Sequence, residues 1–119
     1  SINGDGSQAY DFIYVEDVAR CNVAALKSST KYGFYNVGTE IQTTIKQLCD
    51  TILDLKKSEL KVKYVPYSAD DARALVQNRI GSAVKAKEEI GFSYKYSLVD
   101  GLSKLIDWRN KTMKTKTLA

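Results

Sequence analysis

Between Gly4 and Arg20 the chain must turn sharply, run extended and start a helix, all within seventeen residues. Gly4-Asp5-Gly6-Ser7 places two glycines around an aspartate, the composition of a tight turn. Tyr10 to Val15 is rich in aromatic and β-branched residues and predicts an extended strand. A helix follows at once, with Asp17 or Glu16 available to cap it. Val18, Ala19, Cys21, Val23, Ala25 and Leu26 make most of its circumference apolar, so it is expected to lie buried between layers.

The remaining elements extend this pattern. Gly33 to Val37 carries Phe, Tyr and Val and predicts a short buried strand opening into a loop at Gly38-Thr39, a place where ligands gather in open α/β sheets. Thr44-Ile45-Lys46-Gln47 is a capping box, and Ile45, Leu48, Cys49, Ile52 and Leu55 repeat at helical spacing to about Lys56. Leu60 to Val65 alternates apolar with basic residues and predicts a strand with one solvated face, stopped by Pro66. Residues 67 to 79 show no clean period and are expected to be flexible. A helix from Ser82 to Gly91 should end in a left-handed cap, and Ser97 should cap a last helix whose Leu98, Leu102, Leu105 and Ile106 face the core.

Composition narrows the chemistry. A chain of 119 residues that is 44% hydrophobic and 27% charged is an ordinary globular one with room for one domain or part of one. There is no histidine, which excludes imidazole-dependent zinc sites and histidine-based catalytic triads. Cys21 and Cys49 each fall on the apolar side of a helix and are expected to be small buried hydrophobes in a reducing compartment. The net charge of +4 comes from the second half, where twelve Lys/Arg face six Asp/Glu, against six and eight in residues 1 to 60. These basic residues are interleaved with acids along helices, not clustered with stacking aromatics, so nucleic acid is not the expected partner. No apolar run approaches the ~20 residues needed to span a bilayer, and nothing at the start resembles a signal peptide. A membrane is not an expected partner, and a cytoplasmic location is.

The turn and Asp11-Phe12-Ile13-Tyr14-Val15-Glu16-Asp17-Val18-Ala19-Arg20, followed by Phe34-Tyr35-Asn36-Val37-Gly38-Thr39, Lys85-Ala86-Lys87-Glu88-Glu89-Ile90-Gly91-Phe92 and Ser97-Leu98-Val99-Asp100-Gly101-Leu102, stand in a recognisable order. Across roughly residues 2 to 109 they resemble the C-terminal half of extended short-chain dehydrogenase/reductase enzymes, the nucleotide-sugar epimerases and dehydratases. The resemblance implies an α/β fold, the C-terminal part of an extended Rossmann-type fold with short strands and about four helices. Residues 1–110 would form the substrate-binding portion and 111–119 a polar tail. The chain, which begins at Ser1 in mid-unit, is expected to be a piece of a larger protein.

The family's catalytic signatures are a G-x-x-G-x-x-G turn for NAD and a Y-x-x-x-K pair that moves the substrate proton. Neither occurs in these residues, and none of the eight tyrosines has a lysine four positions on. Gly4 to Ala9 fits G-x-G-x-x-A on paper, but that fingerprint must open a helix, and here a strand is expected to follow. No catalytic and no NAD-binding residue is therefore assigned. The resemblance implies NAD in the parent enzyme, bound mainly by other residues, and a nucleoside-diphosphate sugar as the partner of this portion. The isolated chain is expected to be inactive, and self-association or rearrangement is expected to hide its unpartnered apolar faces. A non-catalytic interaction domain that keeps the fold is the alternative.

Four residues are candidate substrate contacts by resemblance. Tyr10 stands where the family's R-D-F motif carries a diphosphate-gripping arginine. In the P-x-R-x-G-D motif, Ser68 and Asp71 fall at the arginine and aspartate positions, which degrades a second clamp. Another register aligns Asn78-Arg79-Ile80 with an arginine-containing segment, making Arg79 the first phosphate candidate and Arg73 the reserve. A surface salt bridge to Asp70, Asp71 or Glu88 is the competing role for either arginine, and both readings stay open. Asn36 either faces the crevice or fixes the next turn through its own backbone. Asp11 and Asp17 are expected to be structural, as carboxylates near a helix start.

Overall fold

The computed structural model describes residues 1–68 and 76–117, with side chains described through Met113. Arg73, Asp70 and Asp71 lie outside the described residues, as does the middle of the 67 to 79 stretch. The fold is α/β. Strands β1 (Ile2–Asn3) and β2 (Ala9–Tyr10) flank the glycine turn, and helix α1 spans Val15–Lys27. Strand β3 (Thr43–Thr44) leads directly into α2 (Ile45–Leu55). Strands β4 (Tyr64–Val65) and β5 (Asn78–Arg79) precede α3 (Val84–Ile90) and α4 (Leu98–Thr117).

Two small sheets organise these pieces. β1 pairs in parallel with β4, Ile2 opposite Tyr64 and Asn3 opposite Val65. β2 is the centre of a second sheet, antiparallel to β3 and parallel to β5, with Tyr10 opposite both Thr43 and Arg79. Between the sheets Gly4 and Gly6 take φ of 75° and 76°, and the Asp5 carboxylate accepts from the Ser7 amide at 2.9 Å. This turn leads into β2, not into a helix, which removes Gly4 to Ala9 as a pyrophosphate loop.

Local signals in the sequence produce the helix ends they specify. Thr44 Oγ1 accepts from the Gln47 amide at 3.0 Å while Gln47 reaches back to the Thr44 amide at 2.8 Å, closing the capping box. The α2 stripe of Ile45, Leu48, Cys49, Ile52 and Leu55 is half-buried throughout. Gly91 ends α3 in the left-handed conformation (φ 68°), and the Phe92 amide donates back to the Ala86 carbonyl at 3.1 Å. Ser97 Oγ accepts from the Asp100 amide at 3.1 Å at the start of α4. That helix runs on to Thr117, through most of the 111–119 segment.

Several expectations need correction. Residues 11–14 and 33–37 are not paired as strands; only Ala9–Tyr10 of the first run is, and Phe34 is 92% exposed. A strand needs a neighbour for its backbone N–H and C=O groups, and none of the described residues offers one to 33–37. Helix α1 is covered on one side alone. Cys21 packs with Ala86, Ile90 and Phe92, supported by Ile13, Ala25, Tyr35 and Val37, while Val23 and Leu26 remain exposed. Neither Glu16 nor Asp17 caps α1: its N-cap is Tyr14, with no side-chain cap bond. Finally, β4 covers only the last two residues of the Leu60 to Val65 run, and Leu105 on α4 is exposed.

Candidate functional site

Parallel strands β2 and β5 end side by side at Tyr10 and Arg79, and the Asp11 amide extends the ladder to the Arg79 carbonyl at 3.2 Å. Space beyond the carboxyl ends of parallel strands is where α/β sheets collect ligands. A cleft of ≈ 340 Å³ lies there, lined by Tyr10, Asp11, Asn36, Val37, Gly38, Arg79 and Gly81. Three of the four candidate contacts, Tyr10, Asn36 and Arg79, therefore meet around one cavity.

Each brings a different group. Arg79 is exposed and takes part in no ion pair among the described residues, so its guanidinium is available for an anion. The Glu88 bridge is not formed, and Asp70 and Asp71 lie outside the described residues. Asn36 is exposed and stands against Gly81, whose missing Cβ would lie 3.7 Å from the asparagine Cβ. The Tyr10 hydroxyl donates to the Val76 carbonyl at 2.9 Å, and its ring meets Phe12 edge-on with centroids 6.2 Å apart. Its proton is committed, so Tyr10 contributes a wall where an arginine would contribute charge.

Beneath this wall the Asp11 carboxylate gathers the loop after Val37. It accepts from the Thr39 amide at 2.8 Å, the Thr39 hydroxyl at 2.6 Å and the Glu40 amide at 2.9 Å. A side chain at Gly38 would overlap Asp11 Oδ2, so only glycine lets the loop come this close. Glu40 holds φ at 61°, and its carboxylate accepts from Ser82 Oγ at 2.6 Å and the Ala83 amide at 2.9 Å. Glu40 escapes a reading by motif, because only the turn-forming Gly38-Thr39 beside it gives a local signal.

Asp17 serves elsewhere. Fully buried, it accepts from the Lys95 amide at 3.0 Å and the Tyr96 amide at 2.9 Å and pairs with Arg20, fixing the approach to α4. Burial pushes its pKa up, but the Tyr96 and Lys95 amides and the Arg20 guanidinium outweigh that and hold it below the ordinary carboxylate value. Both aspartates of the Asp11 to Asp17 motif are thus structural ties between distant segments, not helix caps.

Among the described residues no three metal-ligating side chains gather, and no helix is long and apolar enough to cross a membrane. The glycine turn at Gly4 to Ala9 leads into a strand and offers no helix N-terminus to a dinucleotide phosphate.

The sequence profile of the NAD dependent epimerase/dehydratase family matches residues 1–38. A putative UDP-glucose 4-epimerase of Methanocaldococcus jannaschii is 32% identical over 114 residues, covering 96% of this chain and 35% of that protein. The crystal structure of Thermotoga maritima UDP-glucose 4-epimerase with UDP-glucose superposes with a TM-score of 0.83 at 30% identity, over 95% of this chain and 36% of that one. The Bordetella bronchiseptica enzyme WbmF, solved with NAD+ and UDP, gives a TM-score of 0.75 at 32% identity, over 94% of this chain and 32% of that one. The chain spans only 25% to 35% of the length of the first curated relatives it matches. Motif order, sequence similarity and superposition agree that the chain belongs to the NAD-dependent epimerase/dehydratase family.

Proposed function

We propose that this chain is the substrate-binding portion of an NAD-dependent nucleotide-sugar epimerase or dehydratase of carbohydrate biosynthesis, and that it holds the nucleoside diphosphate in the Tyr10/Asn36/Arg79 cleft. The carrying observation is that Arg79, without an ion-pair partner among the described residues, ends a parallel strand beside Tyr10 and opposite Asn36. In this reading Arg79 contacts the diphosphate, Asn36 offers an amide to a phosphate or sugar oxygen, and the Tyr10 ring closes one side. Arg73 is the reserve cation. NAD would be held mainly by residues outside this chain, and no proton or hydride transfer is assigned to the residues described. Two free thiols, Cys21 and Cys49, fit a cytoplasmic setting.

Titration calorimetry with UDP-glucose tests the reading. Arg79→Ala should weaken binding by about 1.5 to 3 kcal/mol, the range for hydrogen bonds to charged groups. Lys104 lies over the Tyr96 ring at 5.1 Å, outside the cleft lining, and Lys104→Ala should cost less than about 1 kcal/mol. Unchanged affinity in Arg79→Ala would move the diphosphate elsewhere.

A second reading, an interaction module, draws on a different surface. Leu26 near the end of α1 and Tyr32 and Phe34 in the segment after it are 85%, 89% and 92% exposed. We assign these apolar side chains to self-association of the chain when it stands alone.

A further inference from the structure

We propose that Glu40 is a positioning residue: it fixes the distance between the two walls of the cleft and thereby the grip on the diphosphate. The inference rests on the nucleotide-binding reading of the cleft. One wall is Asn36 to Gly38, the other Arg79 to Gly81, and Glu40 joins the segments that follow them. Its amide donates to the Asp11 carboxylate, which also receives the Thr39 amide beside the first wall, while its own carboxylate accepts from Ser82 Oγ and the Ala83 amide, 42 and 43 positions on, beside the second. Ala83 is the N-cap of α3, where an alanine side chain has no group to cap with, and the Glu40 carboxylate receives its amide. The backbone is strained to do this. A φ of 61° is uncommon for a glutamate and persists where surrounding contacts over-determine it, as at functional sites. A turn alone would be served better by glycine, which adopts this conformation freely. What glycine lacks is the carboxylate that reaches Ser82 and Ala83.

That contrast supplies the experiment. Glu40→Gly relieves the backbone and deletes the tie, whereas Glu40→Gln keeps an acceptor oxygen for the same donors. UDP affinity is measured by calorimetry on both, with Ser82→Ala as a milder cut of the same tie, Arg79→Ala as the test of the site, and a melting curve for each. Glu40→Gly should melt close to the unmodified protein and bind UDP about tenfold more weakly, a loss in keeping with misplaced binding groups. Glu40→Gln should recover most of that affinity, and Ser82→Ala should weaken binding in the same direction. If Glu40→Gly binds UDP as tightly as the unmodified protein, the inference is overturned while the site stands, provided Arg79→Ala is weakened. Losses of binding that simply track losses of melting temperature across the Glu40 and Ser82 variants would also overturn it, by reducing Glu40 to a helix tie. Unchanged binding in Arg79→Ala removes the site, and the inference with it.

Discussion

Asp17 has no exposed surface and yet is held in its charged form. Two backbone amides and a guanidinium make that affordable, and Asp17→Asn should destabilise the protein by about 2 kcal/mol, since hydrogen bonds to a buried charge are worth about 1.5 to 3. The pH dependence has a definite sign. Because folding lowers this pKa, its contribution is complete above the ordinary value of 3.8 and disappears as pH falls through the lower folded value. Denaturant titrations should therefore show the gap between Asp17→Asn and the unmodified protein narrowing below about pH 4; a gap independent of pH would refute the assignment. At this scale the sequence is legible only where partners are near. Thr44 with Gln47 and Ser97 with Asp100 are three positions apart and declare themselves. Asp11 and Asp17 point to helix starts by composition, but the backbone amides they accept from begin 28 and 78 positions away, where no spacing rule reaches. Arg79 and Asn36 were reachable through family resemblance, not through their own chemistry.

Helices and strands differ in the same respect. A helix bonds within itself, so the stripe of α2 and the glycine end of α3 follow from adjacent residues. A strand is completed by another segment, and Gly33 to Val37, which has strand composition, stays unpaired among the described residues. Conversely β5 arises from a stretch without clear periodicity because β2 supplies its partner. The end of α3 offers a clean measurement. A Cβ on Gly91 would meet nothing within 4 Å, so Gly91→Ala probes the left-handed backbone alone. It should cost about 1 kcal/mol, without rearrangement. Chemical denaturation checks the cost, and amide exchange at Phe92, bonded to the Ala86 carbonyl, reports the local loosening. No loss of stability would contradict the left-handed assignment.

The whole molecule is open for its length. Its radius of gyration is 17.5 Å, whereas a compact domain of this size has about 13.5 Å. The covered core around Cys21 and Phe92 is small, and Leu26, Tyr32 and Phe34 stay exposed. Residues 1–119 alone should accordingly self-associate at high concentration, and Phe34→Ser should shift the population toward monomer in sedimentation velocity. A compact monomer for the unmodified chain would speak against these side chains as contacts. The parallel pairing of β2 with β5 carries a kinetic consequence. Tyr10 meets Val76 across 66 intervening steps of chain, and β1 meets β4 across a comparable span. Such distant pairing is slow, because loop-closure entropy is lost before any contact is gained. On a ribosome, α1 and α2 can form while the cleft does not yet exist; its two walls come together only after Arg79 and Gly81 have emerged, making ligand competence one of the last properties these residues acquire.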